Sequence, residues 1–132
     1  MALVTLLAET AGDLMSANPI SLEAGTTAAE AARVLTSRGV GAATVIDAAG
    51  HPLGVVTKTD LLIHARGKGL AEDTTPIRDV MTTAVFTVRT DTPARSVVEQ
   101  LLALNIHHLF VTDASGVLVG VISPVDVLKK LG

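Results

Sequence analysis

The chain has 132 residues, of which 48% are hydrophobic and 2% aromatic, with a formal net charge of −3 and no cysteine. That length and apolar content suit a compact domain with a sizeable core, and they exclude a disordered chain or a disulfide-stapled one. No apolar run approaches the roughly 18 residues of a membrane span, the acidic balance offers no basic field for nucleic acid, and Phe86 and Phe110 are too few aromatics to stack bases.

In chain order, Met1 to Leu7 lacks the basic region of a signal peptide, which with the absence of cysteine predicts a cytoplasmic protein. Ala8 to Met15 reads as a short helical lead-in. Asn18-Pro19 ends it, because a residue before proline disfavours helix. Ile20-Ser21-Leu22 follows as a strand. Thr26-Thr27 opens a helix to about Arg38, with Thr27 and Glu30 at capping-box spacing and Gly39 and Gly41 at its exit. Ala43 to Asp47 and Leu53 to Val56 form a hairpin around the turn Asp47-Ala48-Ala49-Gly50, and a helix runs from Thr57 to about Ala65. Arg66 to Pro76 mixes glycine, charge and proline as a linker.

The second half repeats this order. Asp79-Val80-Met81 matches Asp13-Leu14-Met15, and Phe86-Thr87-Val88 matches Ile20-Ser21-Leu22. The helix from Asp91-Thr92-Pro93 to Leu104 carries Val97, Val98, Leu101, Leu102 and Leu104, more than one apolar stripe, which predicts burial on two sides. Leu109 to Asp113, a turn at Ala114-Ser115-Gly116 and Val117 to Ile122 make the second hairpin. The final helix is expected to end at Lys129-Lys130, where cations suit the macrodipole.

The repeat is clearest in Gly54-Val55-Val56-Thr57-Lys58-Thr59-Asp60 and Gly120-Val121-Ile122-Ser123-Pro124-Val125-Asp126, whose matching residues stand 66 positions apart. Each reads as a strand entering a helix, with a hydroxyl at the junction and an acid three residues on. The spacing is that of a capping box, and it also places a carboxylate able to accept two hydrogen bonds from a vicinal diol. A helix N-terminus beside it would offer N–H groups to phosphate. The repeats divide as 8–66 and 76–132, joined by a linker at 67–75.

Thr57-x-x-Asp60 and Ser123-x-x-Asp126, with the hairpins before them, resemble the CBS domain, which occurs as tandem pairs (Bateman modules). The likeness runs from about Gly12 to Leu131. It implies a mixed α/β (α+β) fold of two pseudo-symmetric repeats, each a small three-stranded sheet with packed helices, and clefts between them that take AMP, ADP, ATP, S-adenosylmethionine or a dinucleotide. By the same resemblance Asp60 and Asp126 accept ribose hydroxyls, and Thr57 and Ser123 touch ribose or phosphate. Main chain at Ile20-Ser21 or Phe86-Thr87 meets the adenine edge. Arg38, Lys58, His107 and His108 are the candidate phosphate partners. Core packing competes with adenine contact for Phe86, and solvated surface competes with phosphate contact for Arg38, Lys58 and the histidines.

The resemblance implies a stand-alone regulatory module that signals to an effector protein, acts as a homodimer and has no cofactor of its own. The alternative is a ligand-free interaction module with vestigial clefts, which Pro124 in place of Lys58 favours. An enzyme is not expected. The sequence has no H-E-x-x-H, no Cys–His set and no suggestive Ser/His/Asp order, and His51, His64, His107 and His108 lack metal-ligand spacing.

Overall fold

The computed structural model describes residues 5–83 and 85–132, which fall into two compact units. One unit is the continuous stretch Ile20–Val85; the other joins the segment up to Pro19 with Phe86–Gly132.

In the continuous unit, β2 (Ser21–Glu23) runs parallel to β3 (Ala42–Ile46), and β3 runs antiparallel to β4 (Pro52–Thr57). A parallel pair needs a crossover, and α2 (Ala28–Arg38) supplies it. Thr27 caps that helix by accepting from Glu30 N–H, and Gly39 closes it at φ 64°, a conformation that costs glycine little. α3 (Lys58–Ala65) follows β4 directly. The alanines of α2 let it sit close on the sheet, so Ala28, Ala31 and Leu35 share a core with Ala43, Val45, Val56, Leu61 and Ile77.

The second unit contains β1 (Ser16–Ala17), β5 (Thr87–Arg89), β6 (Leu109–Thr112) and β7 (Leu118–Ile122), with helices α1 (Ala11–Leu14), α4 (Ala94–Leu104) and α5 (Pro124–Leu128). Its four strands form one sheet in the order β1-β7-β6-β5. Leu14, Val88, Val97, Leu101, Leu109, Val111, Ile122 and Val127 are buried together. Two-residue β1 is an addition to the expected three strands. It pairs antiparallel with β7, Ser16 opposite Val121 and Ala17 opposite Gly120.

The lead-in of each sequence repeat therefore packs with the body of the other, and the main chain shows it twice over. Thr26 carbonyl accepts from Ile77 N–H at 2.8 Å, and Glu9 carbonyl accepts from Ala94 N–H at 2.9 Å. Each bond satisfies an N–H that a helix start leaves unpaired. The lead-ins themselves differ. Thr10 N–H donates to Asp13 at 3.1 Å in the first, whereas Pro76 has no N–H for Asp79 and that segment makes a single 3-10 turn, Ile77–Asp79.

Met15 and Met81 lie across the sheets where Gly120 and Gly54 stand. A Cβ at Gly54 would come to 2.5 Å from Thr82 carbonyl and 2.8 Å from Met81 Sδ, so the glycine of each motif is there for close approach.

Two expectations are corrected. α4 buries Val97 and Leu101 but leaves Leu102 77% exposed, because adjacent helical residues point about 100° apart. The last helix stops at Leu128 rather than at Lys129-Lys130. Beyond it Lys130 carbonyl accepts from Leu7 N–H at 2.6 Å and Gly132 N–H donates to Thr5 carbonyl at 2.7 Å, so the backbone is drawn into a bridge with the N-terminal segment.

Asp47, Asp13 and Asp73 are among the aspartates that hold loops through charge-assisted bonds. Asp47 accepts from the N–H groups of His51 and Ala49, both at 2.9 Å, Asp13 from those of Glu9 and Thr10, and Asp73 from that of Thr75. These amide donors, led by His51, Glu9 and Thr75 respectively, hold all three carboxyls below the ordinary carboxylate value. A pKa lowered on folding gives stability that is present above the unfolded value and is lost as pH falls through the folded one. Melting temperature should therefore hold from pH 7 to about 5 and drop below about pH 4. In Asp47→Ala that acid-side drop should be shallower, as followed by circular dichroism.

Candidate functional site

The candidate residues divide by unit. Thr57, Asp60, Lys58, Arg38, Ile20 and Ser21 lie in the continuous one, and Ser123, Asp126, Phe86, Thr87, His107 and His108 in the other.

Around Asp60 the local sequence makes a capping box. Thr57 N–H donates to Asp60 Oδ2 at 2.9 Å, and Asp60 N–H donates to Thr57 Oγ1 at 3.0 Å. This locks the carboxylate at the start of α3 while leaving it half-buried. Among the described residues no hydrogen bond falls on Asp60 Oδ1. The carboxylate lines a groove of about 290 Å³ together with Ile63, His64, Arg66, Asp79 and Val80. His64 is turned by Asp73, whose Oδ2 lies 2.8 Å from its Nε2. The bond ties α3 to the segment after it.

The same box recurs at Asp126 with different surroundings. Asp126 Oδ2 accepts from Ser123 N–H at 2.7 Å and from Ser123 O–H at 3.0 Å, and Oδ1 accepts from Ser16 O–H at 3.1 Å. Ser16 was not foreseen as a site residue. Its only sequence signal is that Thr82, 66 positions on, also carries a hydroxyl. Arg66 and His64 were likewise missed as neighbours of Asp60, since their position follows from the turn of α3.

The helix starts have fewer N–H groups to offer phosphate than the sequence suggests. Lys58 N–H donates to Gly41 carbonyl at 2.9 Å, Asp60 N–H is spent on Thr57, and Pro124 has no N–H.

Ile20 and Phe86 each precede their strands, and their carbonyls accept from Thr44 and Phe110 N–H at 2.9 Å, so those two acceptors are already used in the ladders. Phe86 is 39% exposed and lies outside the core, while Phe110 is buried. Ser21 and Thr87 open β2 and β5. Arg38, Lys58, His107 and His108 are exposed, and the histidines stand just before β6 rather than in it. Among the described residues no group of three or more His, Cys, Asp or Glu is placed to hold a metal ion, and no helix is long and apolar enough to cross a membrane.

The CBS domain family model matches residues 11–67 and 77–132, in two copies that contain both carboxylate motifs. The chain belongs to the CBS domain family. This CBS pair is 27% identical over 120 residues to the L-aspartate semialdehyde sulfurtransferase of Methanocaldococcus jannaschii, covering 91% of the chain but 23% of that protein. It spans between 23% and 62% of the length of the curated relatives it matches. Among solved structures, CBSX2 in complex with AMP is 27% identical with a TM-score of 0.74, covering 92% of this CBS pair and 95% of that chain. The cytosolic domain of the Mg2+ channel MgtE in complex with ATP is 28% identical with a TM-score of 0.76, covering 92% of this CBS pair and 48% of that chain.

Proposed function

We propose that this CBS pair is a regulatory module that binds an adenine nucleotide or adenosyl compound through its motif carboxylates and passes the ligand state to an effector protein. One observation carries the reading most directly. Asp60 is held by its capping box, with no hydrogen bond on Oδ1 among the described residues, beside a groove that also presents Arg66. A fixed carboxylate can take a ribose diol, and a guanidinium can take a phosphate. The AMP and ATP complexes of similar chains support the ligand class. Ligand binding would act by favouring one of two conformations of the module or its dimer. Exposed Leu62, Ile63, Leu102, Val125 and Leu128 support self-association. The role is regulatory rather than catalytic, and the module works in the cytoplasm.

A ligand that binds only the folded state stabilises it by about 2.7 kcal/mol at a hundred times its Kd. AMP, ADP, ATP or S-adenosylmethionine at millimolar concentration should therefore raise the melting temperature of the wild type by several degrees, and the rise should shrink in Asp60→Asn. Unchanged melting with all four would sink the nucleotide reading. The interaction module with vestigial clefts would then stand, a reading favoured by Asp126, whose two oxygens are both bonded within the chain.

A further inference from the structure

The two motif carboxylates differ in one contact. Ser16 O–H lies on Asp126 Oδ1 in the way a ribose hydroxyl would: a neutral donor on a carboxylate oxygen, at 3.1 Å. Asp126 thus receives three donors from its own chain, two from Ser123 and one from Ser16. At Asp60 the counterpart of Ser16 is Thr82, whose main chain bridges Val55 through two bonds of 2.9 Å. Among the described residues its hydroxyl makes no hydrogen bond to Asp60. The neighbouring residue differs in the same sense, since Lys58 carries a cation where Pro124 has none.

We propose that Ser16 is a built-in competitor for Asp126, so that a diol-bearing ligand occupies the Asp60 motif first and reaches the Asp126 motif only when Ser16 lets go. The proposal rests on the nucleotide reading and deepens it by making the two motifs unequal. A carboxylate with an open oxygen accepts a diol at no cost in existing bonds, whereas one already satisfied must exchange a protein donor for a ligand donor. Because Ser16 is exposed, the handicap is modest, about threefold to tenfold in affinity.

Isothermal titration with ATP and with AMP tests this on the wild type, Ser16→Ala, Asp60→Asn and Asp126→Asn. The tighter binding event should involve one ligand per chain, vanish in Asp60→Asn and survive in Asp126→Asn. Ser16→Ala should tighten only the Asp126-dependent event, by about threefold to tenfold. A tight event that survives Asp60→Asn but not Asp126→Asn would overturn the proposal, as would a second event indifferent to Ser16→Ala.

A ligand-free arm separates the two ideas. Melting of Ser16→Ala, Asp126→Ala and the double variant should be non-additive, because both single changes remove the same bond. Additive melting alongside normal ligand binding removes Ser16 as competitor and leaves the nucleotide reading intact. Silence in every titration alongside non-additive melting defeats the nucleotide reading, and the order of occupancy with it.

Discussion

Replacing Ile77 with alanine should destabilise the protein by about 2–5 kcal/mol, the usual loss for truncating a fully buried isoleucine. The location of the damage is more informative than its size. By sequence Ile77 opens the second repeat, yet it is completely buried among Ala28, Leu35, Val45 and Val56 in the continuous unit. Hydrogen exchange in Ile77→Ala should therefore speed up first in β2, β3 and β4. Leu14→Ala should do the reverse, loosening β6 and β7, because Leu14 sits in the core with Leu109 and Ile122. Equal acceleration in both sheets for either variant would contradict the assignment of the lead-ins.

Gly54→Ala should cost about 1–3 kcal/mol through overpacking. For a chain of this size that is a fall of several degrees in melting temperature. The new Cβ would press on Thr82 carbonyl at 2.5 Å, and a backbone atom locked in the two-bond bridge with Val55 cannot swing aside. Gly120→Ala should cost less. Its close neighbours are atoms of the Met15 side chain, which has rotatable bonds to relieve part of the clash. Urea denaturation of the two variants checks the order, and a milder Gly54→Ala would show that Thr82 can move.

Much of this was legible in the sequence because the signals were local. Capping boxes, αL glycines and Asx turns depend on residues a few positions apart, so both hairpins, the long helices and the CBS likeness could be read directly. Asn105 takes the αL position that Gly39 fills in the first repeat, as asparagine tolerates. What escaped was long-range. Two-residue β1 has too little pattern to read as a strand. The exchange of lead-ins joins residues by tertiary packing alone, and Ser16 meets Asp126 across 110 positions. The carboxylates of the site were visible, but what neighbours them was not. Thr57 and Ser123 have the same spacing to their acids, and only the fold shows that Asp126 takes a further donor from Ser16 while, among the described residues, Asp60 takes none of that kind.

The split unit also has consequences for how the chain is made. Residues 20–85 are contiguous, so that unit can form as soon as they have left the ribosome, with contacts of modest sequence separation. Its companion must bring residues before Pro19 to residues after Phe86, and the loop entropy of that closure is met only when β7 has been synthesised. Until then Ala11 and Leu14 have no core to enter. Refolding followed by pulsed hydrogen exchange should therefore protect β2, β3 and β4 before the strands of the unit that carries Ser16 and Asp126.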